Sequence, residues 1–192
     1  MMTIEEEKSR QNRSYKLLLI FAMISMTMMF AGITSAFVVS KSRTDWMKNF
    51  QMPNAFFISL ILIILCSVTI FLAKSAIKKD NRNLTTIFLL TTLALGIGFV
   101  KFQFEGFNQL YLSGLVPVGG TGSITISFIY VVVITHLAHL AGGIISLLII
   151  IYNHFKQKYN SSQFLGIELG AMYWHFLDFL WVYLFLFLYF FK

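Results

Sequence analysis

The stretch Gly166–Phe191, GIELGAMYWHFLDFLWVYLFLFLYFF, decides the class of fold, because it is long and apolar enough to cross a membrane. A spanning helix needs about 20 mainly apolar residues. This stretch nevertheless carries Glu168, His175 and Asp178, which at about 100° per residue fall within an arc of about 80°. Charged side chains are costly in lipid, so this polar stripe is expected to face protein.

The composition of the whole chain is that of a membrane protein. Of its 192 residues, 57% are hydrophobic and 12% are charged, whereas soluble domains are about 25% charged. We predict an all-α bundle with five transmembrane helices in one domain spanning residues 1–192, the helices at about 16–40, 54–77, 84–105, 124–152 and 166–190. No cleaved signal is expected, since the first apolar run exceeds the roughly 7–15 residues of a signal peptide.

The basic residues predict the orientation of the chain. Ten of the fifteen lie at or before the start of helix one, in and around the loop between helices two and three, or in the loop after helix four, and the other five are on the opposite side. By the positive-inside bias, the N-terminus is cytoplasmic and the C-terminus periplasmic. The net charge of +7 is explained by these loops and needs no nucleic-acid partner.

Helix four carries a second polar pair, His136 and His139, with Gly143 continuing the same face. Two histidines one turn apart cannot ligate a haem from opposite sides. We therefore favour a buried structural network joining Glu168, His175 and Asp178 to these histidines. A proton or ion pathway and a haem or metal site stay open as alternatives. The lone Cys66 offers no thiolate cluster.

The chain carries three motifs, GIELGAMYWHFLDFLW (166–181), THLAHLAGG (135–143) and LGIGFVKFQ (95–103), and together they resemble subunit III of the haem–copper respiratory oxidases. The segment GIELGAMYWHFLDFLW, residues 166–181, is similar to the closing helix of that family. THLAHLAGG, residues 135–143, resembles its His-x-x-His helix, and LGIGFVKFQ, residues 95–103, the helix before it. Besides the polar stripe and the histidine pair, the motif residues are Gly166, Gly170, Tyr173, Trp174, Trp181 and Gln103.

The chain departs from that family in two ways. Members commonly have seven helices, so the resemblance implies a short form without the first two, which in the family form one arm of a lipid-holding cleft. In ISMTMMFAGITSAF, residues 24–37, Met26 replaces a glutamate that the family links to proton uptake. Neither that role nor an intact cleft carries over to this chain.

The resemblance implies a non-catalytic subunit of a proton-pumping terminal oxidase in a bacterial inner membrane. It implies subunit I as principal partner, subunit II as a second, and membrane lipids including a bound phospholipid; a larger respiratory supercomplex is a further possible partner. Haem and copper are expected on the partner subunits, with no metal or catalytic residue on this chain. The alternatives are a stand-alone membrane haem or metal protein, or the equivalent subunit of a quinol or nitric-oxide-reducing complex.

Overall fold

The computed structural model describes residues 4–44, 46–47, 51–117, 123–161 and 163–191. Within them it confirms five helices long and apolar enough to cross a membrane. The helices are α1 Ile4–Ser40, α2 Asn54–Lys78, α3 Arg82–Leu112, α4 Ile124–Phe155 and α5 Leu165–Phe191. Residues 118–122 of the loop between α3 and α4 lie outside the described residues, as do Lys48 and Lys192 of the charge count.

All five helices extend beyond the predicted bounds, and two of them do so by more than five residues. The first begins at Ile4 rather than at 16, because its polar residues continue the helix beyond the apolar segment. Its 37 residues rise about 55 Å, well over the roughly 30 Å of hydrocarbon. The third continues to Leu112 rather than 105, because Gln103, Gly106 and Leu110 repeat at helical spacing and are buried.

A glycine ends the long third helix. Gly114 has a φ of 74°, in the left-handed region that a residue without Cβ adopts at little cost. The amide of Leu115 donates to the carbonyl of Leu110 at 3.0 Å, the six-residue closure of a Schellman motif. The chain therefore leaves α3 in a defined direction.

The fifth helix is the centre of the bundle. It packs against α1, α2 and α4, while α3 packs along α2 and against α4. The aromatic core, at most 1% exposed, comprises Trp174, Trp181, Phe30, Phe37, Phe56 and Phe99. By contrast α1 contacts only α4 and α5 among the described helices, which leaves much of its apolar surface uncovered.

Candidate functional site

Glu168 joins three helices at one end of the bundle. Its Oε2 lies 2.7 Å from Nζ of Lys16 on α1, and its Oε1 lies 3.8 Å from Nζ of Lys74 on α2. The three side chains are between a quarter and two fifths exposed, so water and lipid headgroups can screen the pairs. Glu168 is thus paired with lysines rather than with the histidines that the sequence suggested, because it lies about 15 Å along the axis from Asp178.

His175 bonds across to the second helix. Its Nδ1 lies 2.7 Å from Oγ of Ser67, a partner that the sequence did not suggest. A bond from His175 to Asp178, one turn along the same helix, is not found among the hydrogen bonds of the described residues. The two side chains differ by about 60° in direction around the axis, and His175 is only half-buried.

Asp178 points inward and is 4% exposed. Its carboxyl group faces α2 near Cys66 and Ser67. Ser67 lies close, but its hydroxyl is hydrogen-bonded to His175, and neither carboxyl oxygen of Asp178 meets hydrogen-bond geometry with the described residues. Asp178 is therefore a buried acid whose surroundings are mainly packed side chains.

The two histidines of α4 diverge. His136 is fully buried, with its ring centroid 5.9 Å from Phe99 and 5.0 Å from Trp181, and its ring nitrogens have no hydrogen-bond partner among the described residues. His139 turns toward α1, where it meets Phe30 edge-on at 5.8 Å, and its Nδ1 lies 2.7 Å from the carbonyl oxygen of Thr135.

The side-chain network predicted between helices four and five is therefore absent from the described hydrogen bonds. The connection is instead made through the backbone, since the Tyr173 hydroxyl donates to the carbonyl oxygen of His139 at 3.0 Å. Residues three apart on a helix point about 60° apart, so His136 and His139 meet different neighbours.

The motif residues of α5 make close interhelical contacts. A Cβ added at Gly96 of α3 would lie 3.0 Å from the Trp174 ring, and one at Gly143 of α4 would lie 2.9 Å from Leu177. The Tyr159 hydroxyl sits against Gly166, and Ile150 sits against Gly170. Small residues thus let the helices approach closely, as is common between membrane helices.

Trp181 is the contact point of three helices. Its ring meets Phe56 of α2 at 6.2 Å, Phe99 of α3 at 5.3 Å and His136 of α4 at 5.0 Å between centroids. Both contacts with phenylalanine are edge-to-face, a favourable geometry for aromatic pairs. The motif tryptophan thereby connects α5 with the rest of the core.

Three further polar contacts were missed by the sequence reading. Gln103 is buried and its Nε2 donates to Oγ of Ser59 at 2.9 Å, although its position near the end of the predicted helix indicated a solvated side chain. The other two pairs are Thr69 with Thr92 at 2.8 Å and His154 with Thr86 at 2.9 Å. Hydroxyl residues within apolar spans indicated that polar contacts between helices could form, but the sequence alone does not show which residues pair.

In the part of the chain that the structure describes, no three His, Cys, Asp or Glu side chains come together in a metal-binding group. His136 is enclosed by aromatic rings, and the Nδ1 of His139 contacts its own helix backbone. Both histidines thus pack against aromatic side chains of neighbouring helices.

Comparison with known proteins supplies the family. A sequence model described as cytochrome c oxidase subunit III matches residues 6–192. A probable quinol oxidase subunit 3 from Staphylococcus haemolyticus is 31% identical over 71% of this chain and 66% of its own length. A cytochrome c oxidase subunit 3 from Bacillus sp. (strain PS3) is 26% identical over 83% of this chain and 77% of its own.

A cytochrome bo(3) ubiquinol oxidase subunit 3 from Buchnera aphidicola is 25% identical over 96% of both chains. The aligned region spans slightly less than two thirds of the Staphylococcus relative. The family match nonetheless covers all five helices and every motif residue that packs the bundle. This chain therefore belongs to the cytochrome c oxidase subunit III family.

Proposed function

We propose that this chain is the non-catalytic subunit III of a haem–copper terminal oxidase in a bacterial inner membrane. The observation that carries the proposal is the family match over residues 6–192. The relatives named above are subunits of cytochrome c and quinol oxidases, which favours an oxidase over a nitric-oxide-reducing complex. The complex reduces dioxygen to water and pumps protons, and electron-donor choice belongs to its other subunits.

The role of this chain is to stabilise the catalytic subunit I and to support turnover, with haem and copper on subunits I and II. Its polar side chains make interhelical contacts of a structural kind, such as the Lys16–Glu168–Lys74 pairs and the His175–Ser67 bond. The enclosure of His136 disfavours the alternative of a stand-alone haem protein. The whole oxidase is a candidate member of a larger respiratory assembly.

Deleting this chain tests the role. The remaining oxidase should still contain haem and copper and should begin turnover at a normal rate, but it should lose activity faster during continuous turnover. Restoring the full chain should restore the activity of the oxidase during continuous turnover. An oxidase lacking haem after the deletion would contradict a supporting role and would place this chain at the redox centres.

Substitution of Asp178 distinguishes a structural role from a role in a proton pathway. A carboxyl group that carries protons should be sensitive to removal of its charge. Asp178→Asn keeps the shape of the side chain but cannot ionise. Because we assign Asp178 to the packed interior, we expect normal assembly and unchanged proton translocation per electron. Both are measured on the purified variant oxidase in vesicles, with subunit content checked by gel. Normal assembly with abolished pumping would contradict the structural assignment.

We further propose a bound anionic phospholipid in a crevice between α1, α4 and α5. A polar part of about 360 Å³ is lined by Lys8, Asn12, Lys16 and Lys158 among others. An apolar part of about 460 Å³ extends from it past Leu19, Met26, Ile149, Leu169 and Tyr173. Tyr159 and Gly166 line both parts, so the two lie side by side.

The crevice has the chemistry of a lipid site. Glu168 is neutralised by its lysine partners, which leaves Lys8 and Lys158 to attract a phosphate. Burial raises the pKa of the Tyr159 hydroxyl, which keeps it protonated and able to donate to an anion. The apolar part suits one acyl chain.

We expect Lys8→Gln combined with Lys158→Gln to reduce the anionic phospholipid that stays with the purified oxidase. Each lysine near a membrane surface contributes about 1 kcal/mol of attraction, so retention should fall by roughly tenfold or more. Native mass spectrometry counts the retained lipid. The matched control is Lys41→Gln, a lysine beyond the other end of α1. Equal retention of anionic phospholipid in the two variants would contradict the proposed lipid site.

The orientation proposal is tested with reporter fusions after Lys79 and after Lys192. Because the basic residues lie ten to five across the membrane, we expect the Lys79 fusion in the cytoplasm and the Lys192 fusion in the periplasm. Alkaline phosphatase and fluorescent-protein reporters measure the two sides. Both fusions reporting the same side would contradict the proposed topology.

A further inference from the structure

A groove runs along the outer surface of α5, between α1 and α2. Both helices pack on α5, yet over the described residues the backbones of α1 and α2 do not approach each other. Tyr183 marks one edge, since its hydroxyl is 3.5 Å from Oγ1 of Thr34 on α1. Phe185 marks the other edge, since its ring lies 5.0 Å from that of Phe57 on α2.

The floor of this groove is apolar at one end and polar at the other. Between the two edges, α5 presents Phe179 and Phe190, each 72% exposed, and Leu186, 43% exposed. His175 is one turn before Phe179 on the same face. Glu168, bridging to Lys16 and Lys74, closes the groove at the cytoplasmic end of our proposed topology.

His175 determines what can occupy the groove. Its Nδ1 is satisfied by Ser67, whereas its Nε2 has no hydrogen bond within the described part of the chain, and the half-buried side chain lies on the groove face of α5. The residue lies about 10 Å deeper along the axis than the Glu168 ion pairs. A ring nitrogen at that depth is costly against acyl chains, because lipid tails offer neither donor nor acceptor.

We propose that a transmembrane helix of another oxidase subunit occupies this groove. That helix places a hydroxyl or amide side chain beside Nε2 of His175 and packs its apolar residues on Phe179 and Leu186. A hydroxyl or amide fits because it can donate or accept, and therefore serves either tautomer of the imidazole. This inference rests on the proposed function, which supplies the partner chains.

Photo-crosslinking in the intact complex tests the groove. A benzophenone amino acid replaces Phe179 in one variant and Ile145 in another; Ile145 is 59% exposed on α4, which does not border the groove. We expect the probe at 179 to form an adduct with a different oxidase subunit and the probe at 145 to form none. An adduct with lipid alone, or with a second copy of this chain, would overturn the proposal.

A pair of substitutions tests the polar contact itself. His175→Leu removes the groove bond, whereas Ser67→Ala removes only the bond within this chain. One interhelical bond corresponds to about a threefold change in association, so His175→Leu should release the subunit from the oxidase about threefold more readily than Ser67→Ala. If the two variants release the subunit equally, Nε2 of His175 has no partner in the complex.

The proposed function and the groove proposal are contradicted by different results. If the tagged chain purifies without any haem-containing subunit, the proposed function is wrong. If it purifies with the oxidase but the probe at 179 finds only lipid, the function stands and the groove assignment is wrong.

Discussion

Trp181→Ala is expected to lower the free energy of unfolding of this chain by about 3 kcal/mol or more. The indole is 1% exposed and contacts aromatic rings on α2, α3 and α4. Its removal leaves a cavity where three helices meet, and neighbours held by their own helices cannot fill it. Lipid cannot replace these contacts inside the bundle. Unfolding of the purified chain by denaturing detergent in mixed micelles measures the change.

The matched control is Phe179→Ala, two residues earlier on the same helix. Phe179 is 72% exposed, so its removal from the isolated chain should change stability by about 0.5 kcal/mol or less. Similar losses in the two variants would contradict the assignment of Trp181 as the contact point of the core.

Gly106→Ala should destabilise the packing of α3 on α2, although alanine is the better helix former. A Cβ at this position would collide with the ring of Phe56, which is 1% exposed and held edge-on by Phe107 and Trp181. Overpacking of this kind costs about 1–3 kcal/mol, against a gain of about 1 kcal/mol in helix propensity. The net loss should appear as a lower midpoint of unfolding in the same detergent assay.

Gly98→Ala is the control on the same interface. The nearest atom to its added Cβ is Cδ1 of Leu62 at 3.8 Å, an ordinary contact. That variant should be as stable as the parent or more stable, because only the propensity gain remains. If Gly106→Ala is equally stabilising, then Phe56 moves freely and the interface is looser than described.

The five helices could be predicted from sequence because hydropathy over about 20 residues is a local property. The ends of α1 and α3 could not be predicted in this way. Polar residues 4–15 end the apolar segment but not the helix, and Lys101 and Glu105 are exposed on an α3 that continues to Leu112. An apolar stretch of sequence indicates the part of a helix that crosses the membrane, whereas backbone hydrogen bonds determine where the helix begins and ends.

The partners of the polar residues could not be predicted in the same way. Helical spacing places Glu168 and His175 on one side of α5, but it does not identify the lysines and Ser67 that they meet. Those partners lie about 95–150 residues away on α1 and α2, so their positions depend on how the helices pack. The motif glycines and tryptophans were recognisable, and only the structure showed which helices they bring together.

The most direct test of the central claim is the visible absorption spectrum of material purified through a tag on this chain, recorded before and after the chain is separated from its partners. Subunit III of a haem–copper oxidase should bring haem bands with it in the mild-detergent complex, and the separated chain should have none. Haem bands that stay with the separated chain would contradict the account, and so would a complex without haem.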